Sequence, residues 1–465
     1  GIGKGDRIAW LGKNADHYLL LLYAAARMGA VMAPVGWRLA PPEIGYILSD
    51  TGAKLVIAAA DFVETAKAVS AGMENGPGVF EAVETFTVAA GMEPATYTAP
   101  SADEPILQLY TSGTTGNPKG AQLSNHNLFS LRKPRLEENL PWQNFEPTDC
   151  ILGAMPVAHI GGTGVAAIAV SNGVRIHVLP EFTPDGTLEA IESVATLMFL
   201  VPAAIQIMIQ HPKAAETDFS GLRYLMYGAA PMPLELLKEA VKTMPDTGFM
   251  QVYGMTETTG TVSLLPPEDH DLGGNERMRS AGKAVPGVKI EIRGSNNTEL
   301  PIGEIGEICI HSPSNTAGYW KLPEATAKTI DPDGWLHTGD AGIMDADGYV
   351  YIQDRIKDMI ISGGENVYPA EVESAIYGHP AILEVAVSGI PSEKWGEEVK
   401  ACVVAKPGME IEEGDVIAYT RDKIAPFKCP KSVDVIPEMP RNASGKILRR
   451  QLRAPYWEGQ ERQVN

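Results

Sequence analysis

The sequence predicts an α/β protein with a large N-terminal domain of parallel and mixed sheets with packed helices, a β-rich subdomain, and a small α+β C-terminal domain. Apolar strand-like runs alternate with helix-like runs from Arg7 to Ala60, and the alternation returns after the glycine-rich segment 110–120. Such alternation is typical of βα units, which assemble into mostly parallel sheets. After residue 280 the pattern changes to short strands and turns, and the C-terminal part is again mixed.

The elements of the first half follow in chain order. The first strands are predicted at "RIAWLG", "VMAPVG" and "KLVIAAA", and the helices between them at "HYLLLLYAAARMGA" and "PPEIGYILSDTGA". A further strand, "EPILQLY", leads into the glycine-rich segment. Beyond it, strands are predicted at "ILGAMPV", "VRIHVLP", "TLMFLVP" and "LRYLMYG", and a helix at "PLELLKEAVKTM".

The second half predicts the subdomain and the C-terminal domain. Short strands bounded by turns occur at "VKIEIRG", "GEIGEICIHS" and "DGYVYIQDR"; later come a helix at "PAEVESAIYGHP" and strands at "EVAVSGI" and "KACVVAKPG". A chain of 465 residues exceeds one ordinary hydrophobic core, so more than one domain is expected. We place an N-terminal domain at 1–353, a hinge at 354–358 ("DRIKD") and a C-terminal domain at 359–465.

Composition excludes several classes of function. A formal net charge of −20 argues against nucleic-acid binding and docking to an anionic membrane, because both need a basic face. Four cysteines without metal-ligand spacing predict reduced thiols in a cytoplasmic protein. The most apolar stretch is interrupted by Arg27, Gly29 and Pro34, so it is too short and too broken to span a membrane.

The segment "YTSGTTGNPKG" (110–120) combines glycines and hydroxyls with Lys119, directly after a predicted strand. Backbone N–H groups of such a loop wrap phosphate oxygens, the hydroxyls donate hydrogen bonds, and the lysine adds positive charge. The spacing of Gly113, Gly116 and Lys119 does not fit the Walker A pattern. For this loop taken alone, a solvent-exposed turn is the alternative.

Five further stretches carry chemically useful residues. Two of them, "YGAAPMP" (227–233) and "QVYGMTETTG" (251–260), follow apolar strands, where parallel sheets present ligand loops. Tyr253 offers a flat face to a purine, and Glu257 offers a hard oxygen ligand to Mg²⁺. Taken alone, a tyrosine such as Tyr253 is more often a core residue, and a glutamate such as Glu257 is more often a solvated carboxylate. The other three are "GWLHTGD" (334–340) with Asp340, "DRIKDMIISGGENVYPAEVE" (354–373) with a glycine pair, and "PRNASGKILRR" (440–450) with Lys446.

These six stretches, in this order and at these separations, resemble the acyl- and aryl-CoA synthetases of the adenylate-forming superfamily. The resemblance covers essentially the whole chain, and residues 354–373 are most similar to bacterial fatty-acyl-CoA ligases. It implies a ligase of lipid metabolism that uses ATP, Mg²⁺ and coenzyme A. A carboxylic acid attacks the α-phosphate of ATP to give an acyl-adenylate and pyrophosphate, and the thiol of coenzyme A then displaces AMP.

The resemblance also implies a role for each matching residue. Thr256 would contact the α-phosphate, and Glu257 would bind Mg²⁺. Asp340 and Arg355 would hold the ribose hydroxyls. The β- and γ-phosphates would be held by Thr111, Ser112, Gly113, Thr114, Thr115 and Lys119. The adenine would be enclosed by Gly228, Ala229, Ala230 and Tyr253.

In this family the small C-terminal domain swings between the two half-reactions. Lys446 would bridge the carboxylate and the α-phosphate in the adenylating arrangement and stabilise charge at phosphorus. Lys357 matches the hinge position, where residues at element boundaries absorb such a change. After the swing, Gly363 and Gly364 would line the pantetheine tunnel, which a side chain at Gly364 would obstruct.

The acid pocket is predicted from "PVAHIGGTG" (156–164), which matches a family segment whose histidine, His159, borders the acid and the coenzyme A tunnel. A structural core histidine is the alternative. Gly161 and Gly162 stand where aryl-specific relatives often carry bulkier side chains, which favours a medium- or long-chain aliphatic or an alicyclic acid. An amino-acid substrate is not expected, because "HIGGTGVAA" contains no acidic partner for an amine.

Other activities remain open on the same fold. An acyl-AMP ligase that loads a carrier protein would keep every ATP motif, but such enzymes typically carry an insertion near the hinge, and none is evident at 330–360. A luciferase-like oxygenase would also keep these motifs. A non-catalytic nucleotide or acyl-CoA sensor would be free to lose Lys446, Glu257 or Lys119, and all three are present.

Two expectations concern the surface. Family members usually carry several dozen residues before the strand at "RIAWLG", and without them we expect part of the first sheet and a surface helix to be uncovered. The chain begins without a methionine, so targeting is not judged from its start. A homodimer is compatible with the family, although the residues show no self-complementary patch.

Overall fold

A computed structural model describes residues 1–93, 96–111, 117–271, 273–441 and 446–458. Within these ranges the chain forms two seven-stranded sheets, then a four-stranded and a five-stranded sheet. Helices pack on the first two sheets and on the last one. The predicted α/β fold, with a large N-terminal and a small C-terminal part, is confirmed.

The first sheet is built from the predicted N-terminal βα units. Its strands are β1 (Arg7–Leu11), β2 (Val31–Val35), β3 (Ala53–Ala58), β4 (Gly78–Glu81), β5 (Pro105–Thr111) and β6 (Lys119–Ser124). The accompanying helices are α1 (Asp16–Met28), α2 (Pro41–Thr51), α3 (Val63–Ala71), α4 (Ala82–Ala90), α5 (Asn125–Phe129) and α6 (Arg132–Glu138). The strand order is β6–β5–β2–β1–β3–β4, parallel except for β6.

Both faces of the first sheet are covered by helices, which explains its nearly continuous apolar strands. In β1, Ile8 and Trp10 pack in one hydrophobic cluster with α1, whereas Ala9 and Leu11 pack in another with α2. Part of this layer is nevertheless exposed. Large apolar side chains are exposed on α1, β4 and α4, namely Leu20, Phe80, Val83 and Val88.

The second sheet repeats the βα pattern. Its strands are β7 (Cys150–Gly153), β8 (Arg175–Val178), β9 (Leu197–Leu200), β10 (Tyr224–Gly228), β11 (Gly248–Met255), β12 (Gly260–Leu265) and β13 (Lys283–Ala284). Its helices are α7 (Ile160–Asn172), α8 (Pro184–Ser193), α9 (Pro202–Ile209) and α10 (Leu234–Thr243). The order is β13–β12–β11–β10–β9–β7–β8, and β7 to β11 are parallel. The loops after β10 and β11 therefore leave the same edge.

The third sheet is the predicted β-rich subdomain. It consists of antiparallel β14 (Lys289–Arg293), β15 (Gly306–His311), β17 (Leu336–Met344) and β18 (Val350–Arg355). The two-residue strand β16 (Gly318–Tyr319) leaves this sheet and pairs with β6, and α11 (Pro323–Thr329) follows it. This excursion brings Tyr319 to the first sheet.

The C-terminal part forms the last sheet. Its strands are β19 (Ile360–Ser362), β20 (Glu365–Val367), β21 (Ile382–Ser392), β22 (Gly396–Ala405) and β23 (Ser432–Val435). Its helices are α12 (Pro369–Tyr377), α13 (Glu413–Arg421) and α14 (Arg449–Trp457). The apolar residues of α12, β21 and β22 form a separate hydrophobic cluster, so this part has its own core.

A single 3₁₀ turn, Ile356–Asp358, connects the third sheet to the last one. β18 ends at Arg355 in one sheet, and β19 begins at Ile360 in the next. This change of sheet supports the predicted domain boundaries, which stay a prediction. The two parts also touch away from the turn, where the Gln206 side-chain amide donates a 3.3 Å hydrogen bond to the Leu383 carbonyl.

All four cysteines are free and buried, as expected for reduced thiols. Among the described residues, no helix is both long enough and apolar enough to cross a bilayer. The helices α1 and α7 have 13 residues each. A spanning helix needs about 20.

Gly162 is fixed by backbone packing and does not widen the acid pocket. It is buried in the first turn of α7, where a Cβ would lie 2.5 Å from the Met155 carbonyl oxygen and closer still to that of Pro156. A Cβ at Gly161 would instead lie 2.8 Å from the Phe199 ring. The interpretation of both glycines as a widened pocket wall is therefore wrong for Gly162.

Gly162→Ala should destabilise the protein by about 1–3 kcal/mol, because the new methyl group forces two carbonyl groups to move. Gly164→Ala is a matched control on the same helix, since its Cβ would meet Ile160 at an ordinary 3.7 Å. The control should gain up to about 1 kcal/mol from helix propensity. Urea unfolding midpoints measure both changes, and equal stability of the two variants would contradict the packing argument.

Candidate active site

The predicted adenine loop leaves β10 next to β11. A Cβ at Gly228 would collide with the backbone oxygen of Val252 in β11, so strand packing requires this glycine. Ala229 has a φ of 64°, in the left-handed region that residues with a side chain rarely adopt. Ala230 follows and is half-buried. Strand packing thus accounts for Gly228, and contact of the three residues with adenine stays a prediction.

Asp340 is the centre of a buried polar network. Its Oδ1 pairs with Arg355 Nε at 2.8 Å, and its Oδ2 accepts a 2.7 Å hydrogen bond from the Tyr253 hydroxyl. Asp340 and Arg355 are cross-strand partners on β17 and β18, and Arg355 also donates to the Thr338 carbonyl at 3.0 Å. Burial and the Asp340 charge raise the pKa of Tyr253 well above its usual value, so its hydroxyl stays a donor.

Glu257 lies in the 3₁₀ turn Thr256–Thr258 that follows β11, and it is buried. Its Oε1 accepts a 2.7 Å hydrogen bond from the Tyr319 hydroxyl. The Lys119 ammonium lies 4.4 Å from the centre of the same tyrosine ring. Tyr319 therefore connects a predicted metal ligand with a predicted phosphate ligand, while Thr256 is half-buried at the start of the turn.

Lys446 reaches the same cleft from the C-terminal part, and its side chain is open to solvent there. Partial desolvation lowers the pKa of Lys446, and the charge of Arg355 lowers it further, whereas Asp340 and Glu257 act in the opposite direction. Charges shift the pKa of Lys446 in this way only when they are near it, so Lys446 lies close to Arg355, Asp340 and Glu257. The structure thus brings together Lys446, the two predicted ribose ligands and the predicted metal ligand.

His159 caps the N-terminal end of α7 and is half-buried. Burial lowers the pKa of His159 to about 4, and the charges of Lys446 and Arg38 contribute. The imidazole is therefore neutral at pH 7. The influence of Lys446 shows that the two side chains lie near each other. The predicted place of His159 beside the acid and the coenzyme A tunnel stays a prediction.

The glycine-rich segment is described at its two ends. Thr111 and Lys119 are cross-strand partners at the ends of β5 and β6. The predicted ligands between them, Ser112, Gly113, Thr114 and Thr115, lie outside the described residues.

The glycine pair predicted to line a tunnel forms the exposed tip of the β19–β20 hairpin. Gly363 and Gly364 have φ values of 63° and 86°, so glycine is required by the backbone. A Cβ built on Gly364 has no atom of the described residues within 4 Å. The expected obstruction by a side chain at Gly364 is therefore absent in this arrangement, and Lys357 is half-buried in the preceding turn.

Three side chains that the sequence analysis did not predict, those of Glu307, Cys309 and His337, lie together next to Asp340. Glu307 accepts hydrogen bonds from the Gly339 backbone N–H at 2.9 Å and lies 2.8 Å from His337 Nδ1. Cys309 Sγ lies 3.5 Å from the same nitrogen. The potential ligand atoms of Glu307, Cys309 and His337 are therefore close enough together to hold a metal ion. Burial and the Glu307 charge raise the pKa of Cys309 to about 12. The thiol stays protonated, and Glu307 holds the backbone of β17 at Gly339, next to Asp340.

Family models match both parts of the chain. The model described as AMP-binding enzyme covers residues 1–320, and that described as AMP-binding enzyme C-terminal domain covers 371–446. The chain belongs to the AMP-binding enzyme family. The resemblance drawn from the six sequence motifs is thereby confirmed.

Curated relatives of this AMP-binding enzyme differ in acid and acceptor. A fatty acid–[acyl-carrier-protein] ligase of Streptomyces coeruleorubidus is 40% identical over 470 residues, which span 100% of this chain and 89% of the relative. A feruloyl-CoA synthase of an Amycolatopsis species is 37% identical over 463 residues, which span 98% and 90%. Both names describe ligases that join an acid to a thiol carrier.

A solved structure of a relative, MatB from Rhodopseudomonas palustris with bound ATP, matches with a TM-score of 0.87 at 32% identity, covering 98% of this chain and 90% of that one. The apo form of the same protein matches over the same shares with a TM-score of 0.76. The structure of this AMP-binding enzyme therefore matches the ATP-bound form with the higher score.

His159→Gln should reduce the loss of stability on acidification. The unfolded histidine binds a proton near pH 6.5 and the folded one near pH 4, so acidification through this window favours the unfolded state. From pH 7 to pH 5 the wild type should lose about 2 kcal/mol more than the variant. Urea unfolding at both pH values measures this, and an equal loss in both proteins would show that His159 is not held neutral.

Proposed function

We propose that this chain is an AMP-forming acid–thiol ligase that activates a carboxylic acid with ATP and transfers the acyl group to coenzyme A. The observation that carries the proposal is the position of Lys446, close to Arg355, Asp340 and Glu257 in one cleft. An acid and a polyphosphate bring negative charge together, and two cations at this point oppose their repulsion. The acid–thiol ligases among the relatives support the same reaction.

In the first half-reaction, a carboxylate oxygen attacks the α-phosphorus of ATP, and the bond to the bridging oxygen breaks to release pyrophosphate. Lys446 contacts both reacting groups and stabilises the charge that develops on phosphorus. Asp340 and Arg355 hold the ribose. Each Asp340 oxygen already accepts one bond and keeps lone-pair capacity for a hydroxyl.

Glu257 fits the Mg²⁺ that accompanies ATP. Its carboxylate is buried, Tyr319 fixes Oε1, and Oε2 accepts no hydrogen bond from the described residues. Hard oxygen ligands of this kind suit Mg²⁺, which when bound neutralises charge on the phosphates. Thr256 and Lys119 then contact phosphate oxygens directly, Lys119 being held by the Tyr319 ring.

In the second half-reaction, the thiol sulfur attacks the acyl carbon, and the bond to the phosphate oxygen breaks to release AMP. We place the motion between the half-reactions at Lys357, in the 3₁₀ turn between two sheets. The exposed Gly363–Gly364 tip then lines the thiol channel. Its small residues with positive φ allow close approach by the pantetheine arm.

A carrier-protein thiol is the second candidate acceptor, and the 40% identical ligase favours it. Coenzyme A is favoured by the short connection of β18 to β19, which leaves no room for an insertion at the hinge. A non-catalytic sensor is opposed by Lys446, Glu257 and Lys119, since a sensor has no use for this set.

We propose a medium- or long-chain aliphatic or an alicyclic acid as the substrate. The fatty-acid relative supports this, and the feruloyl relative favours an aromatic acid instead. Since Gly162 serves packing, the argument from pocket width rests on Gly161 alone. A Cβ at Gly161 would contact Phe199, so the ring position sets the width at this point.

The experiment that tests this proposal measures pyrophosphate release from ATP and Mg²⁺ with a panel of acids, each with coenzyme A, with an acyl-carrier protein, and without an acceptor. The panel runs from acetate to long fatty acids and includes cinnamates and alicyclic acids. Release with thioester formation on coenzyme A is the expected result. Thioester formation on the carrier protein alone would overturn the acceptor, and absence of release with every acid would overturn the reaction.

Lys446→Ala should lower the adenylation rate by a factor of about 100 or more, as for loss of a donor to a developing oxyanion. Transfer of the acyl group from a preformed acyl-adenylate should change little, because Lys446 acts in the first half-reaction. Single-turnover assays of the two steps measure this. Arg450→Ala, four residues further and exposed, is the matched control. Equal losses in both steps would contradict this division of labour.

A further inference from the structure

The carboxylate of Asp354 belongs to the large part of the chain and contacts residues of the small part. Asp354 lies on β18, three residues before Lys357, and is 6% exposed. Its Oδ2 accepts a 2.8 Å hydrogen bond from the Ala370 N–H. This N–H lies in the first turn of α12, where backbone donors have no partner within the helix. Its Oδ1 accepts a 2.7 Å bond from the Arg355 N–H and lies 3.6 Å from Arg449 Nη1.

Arg449 belongs to the small part and follows Lys446 by three residues. It pairs with Glu373 of α12 through bonds of 2.8, 2.9 and 3.1 Å. Both partners lie beyond the turn Ile356–Asp358, so this pair is unaffected when the small part rotates. The contacts of Asp354 with Ala370 and Arg449 lie across the turn, and rotation about Lys357 breaks them.

Burial of the charged Asp354 carboxylate is unfavourable unless the small part supplies its hydrogen-bond and ion-pair partners. Burial raises the pKa of Asp354 to about 6, Arg449 opposes this rise, and Glu373 adds to it. The carboxylate is therefore charged at pH 7 and depends on the donors of the small part. A buried charge without these donors is unfavourable, so the contacts favour the arrangement that supplies them.

We propose that Asp354 is a positioning residue that holds the small part in the arrangement where Lys446 enters the cleft. The inference rests on the proposed two-step reaction. By accepting from Ala370 and pairing with Arg449, Asp354 fixes the first turn of α12 and the start of α14. Lys446 lies directly before α14, so its approach to Asp340 and Glu257 follows from the same contacts.

Two solved structures of one relative, MatB, match this structure to different degrees. This structure matches the ATP-bound form with the higher TM-score and the apo form with the lower one, at equal identity and coverage. The contacts of Asp354 therefore occur in the arrangement that resembles the nucleotide-bound relative. They are the kind of differential interaction that shifts such an equilibrium.

The test compares Asp354→Asn with Glu371→Gln. Both replace a carboxylate by an amide at the N-terminal end of α12, but Glu371 pairs with Lys428 inside the small part at 2.7 Å. Asp354→Asn should lower the single-turnover adenylation rate about tenfold, the population shift expected for a lost bond to a charged group. Acyl transfer from a preformed adenylate should stay within about twofold. Glu371→Gln should change both steps equally or not at all.

A second readout does not depend on activity. Trypsin cleavage after Lys357, followed by mass spectrometry, should be faster in Asp354→Asn than in wild type and in Glu371→Gln, because the turn opens more often. Thermal unfolding of each variant shows that it is folded, and Asp354→Glu should restore part of the adenylation rate. Equal slowing of both half-reactions in folded Asp354→Asn, or the same split in Glu371→Gln, would overturn the inference.

Failure of the proposed function gives a different result. If wild-type protein releases no pyrophosphate with any acid, the proposed reaction is wrong, and the cleavage rates still decide whether Asp354 holds the two parts together. Unchanged cleavage in Asp354→Asn then overturns the positioning role. Active wild type with unchanged half-reactions in the variant overturns it as well.

Discussion

The buried ion pair between Asp340 and Arg355 is the interaction on which the arrangement of the cleft depends. Asp340 comes from the middle of β17, and a buried carboxylate needs compensation at both oxygens. Arg355 compensates one oxygen, and Tyr253 of the second sheet compensates the other. Because Arg355 is also the last residue before the turn Ile356–Asp358, one carboxylate connects two sheets with the point where the small part begins.

The cleft gathers positive charge in a strongly acidic protein. The net charge is −20, yet Arg355 lowers the pKa of Lys446, and Lys446 contributes to lowering that of His159. These shifts show that the basic groups lie near one another, although Asp340 and Glu257 raise the pKa of both Arg355 and Lys446. A polyphosphate relieves this repulsion when it binds. Local geometry, and not overall composition, therefore sets the preference for an anion.

The features that could be predicted are those that local sequence patterns encode. Parallel strands and helices follow from apolar periodicity, and motif residues such as Asp340, Arg355 and Glu257 come together because the family resemblance covers the chain. Tyr319 was missed because its role depends on pairing between β16 and β6, which are far apart in sequence. Gly162 was misinterpreted because the sequence does not show which carbonyl groups pack against a glycine. Long-range packing, which local patterns do not encode, accounts for both errors.

The burial of the cysteines has a consequence for the fidelity of acyl transfer. An acyl-adenylate is an electrophile that any nearby thiolate attacks, and the thiolate is the reactive form of cysteine. Burial raises the pKa of all four thiols, to about 12 for Cys309 and about 11 for Cys402. Cys309 lies on β15 next to the strand that carries Asp340, yet it stays protonated and buried. None of the four cysteines therefore offers a thiolate that competes with the acceptor for the acyl group.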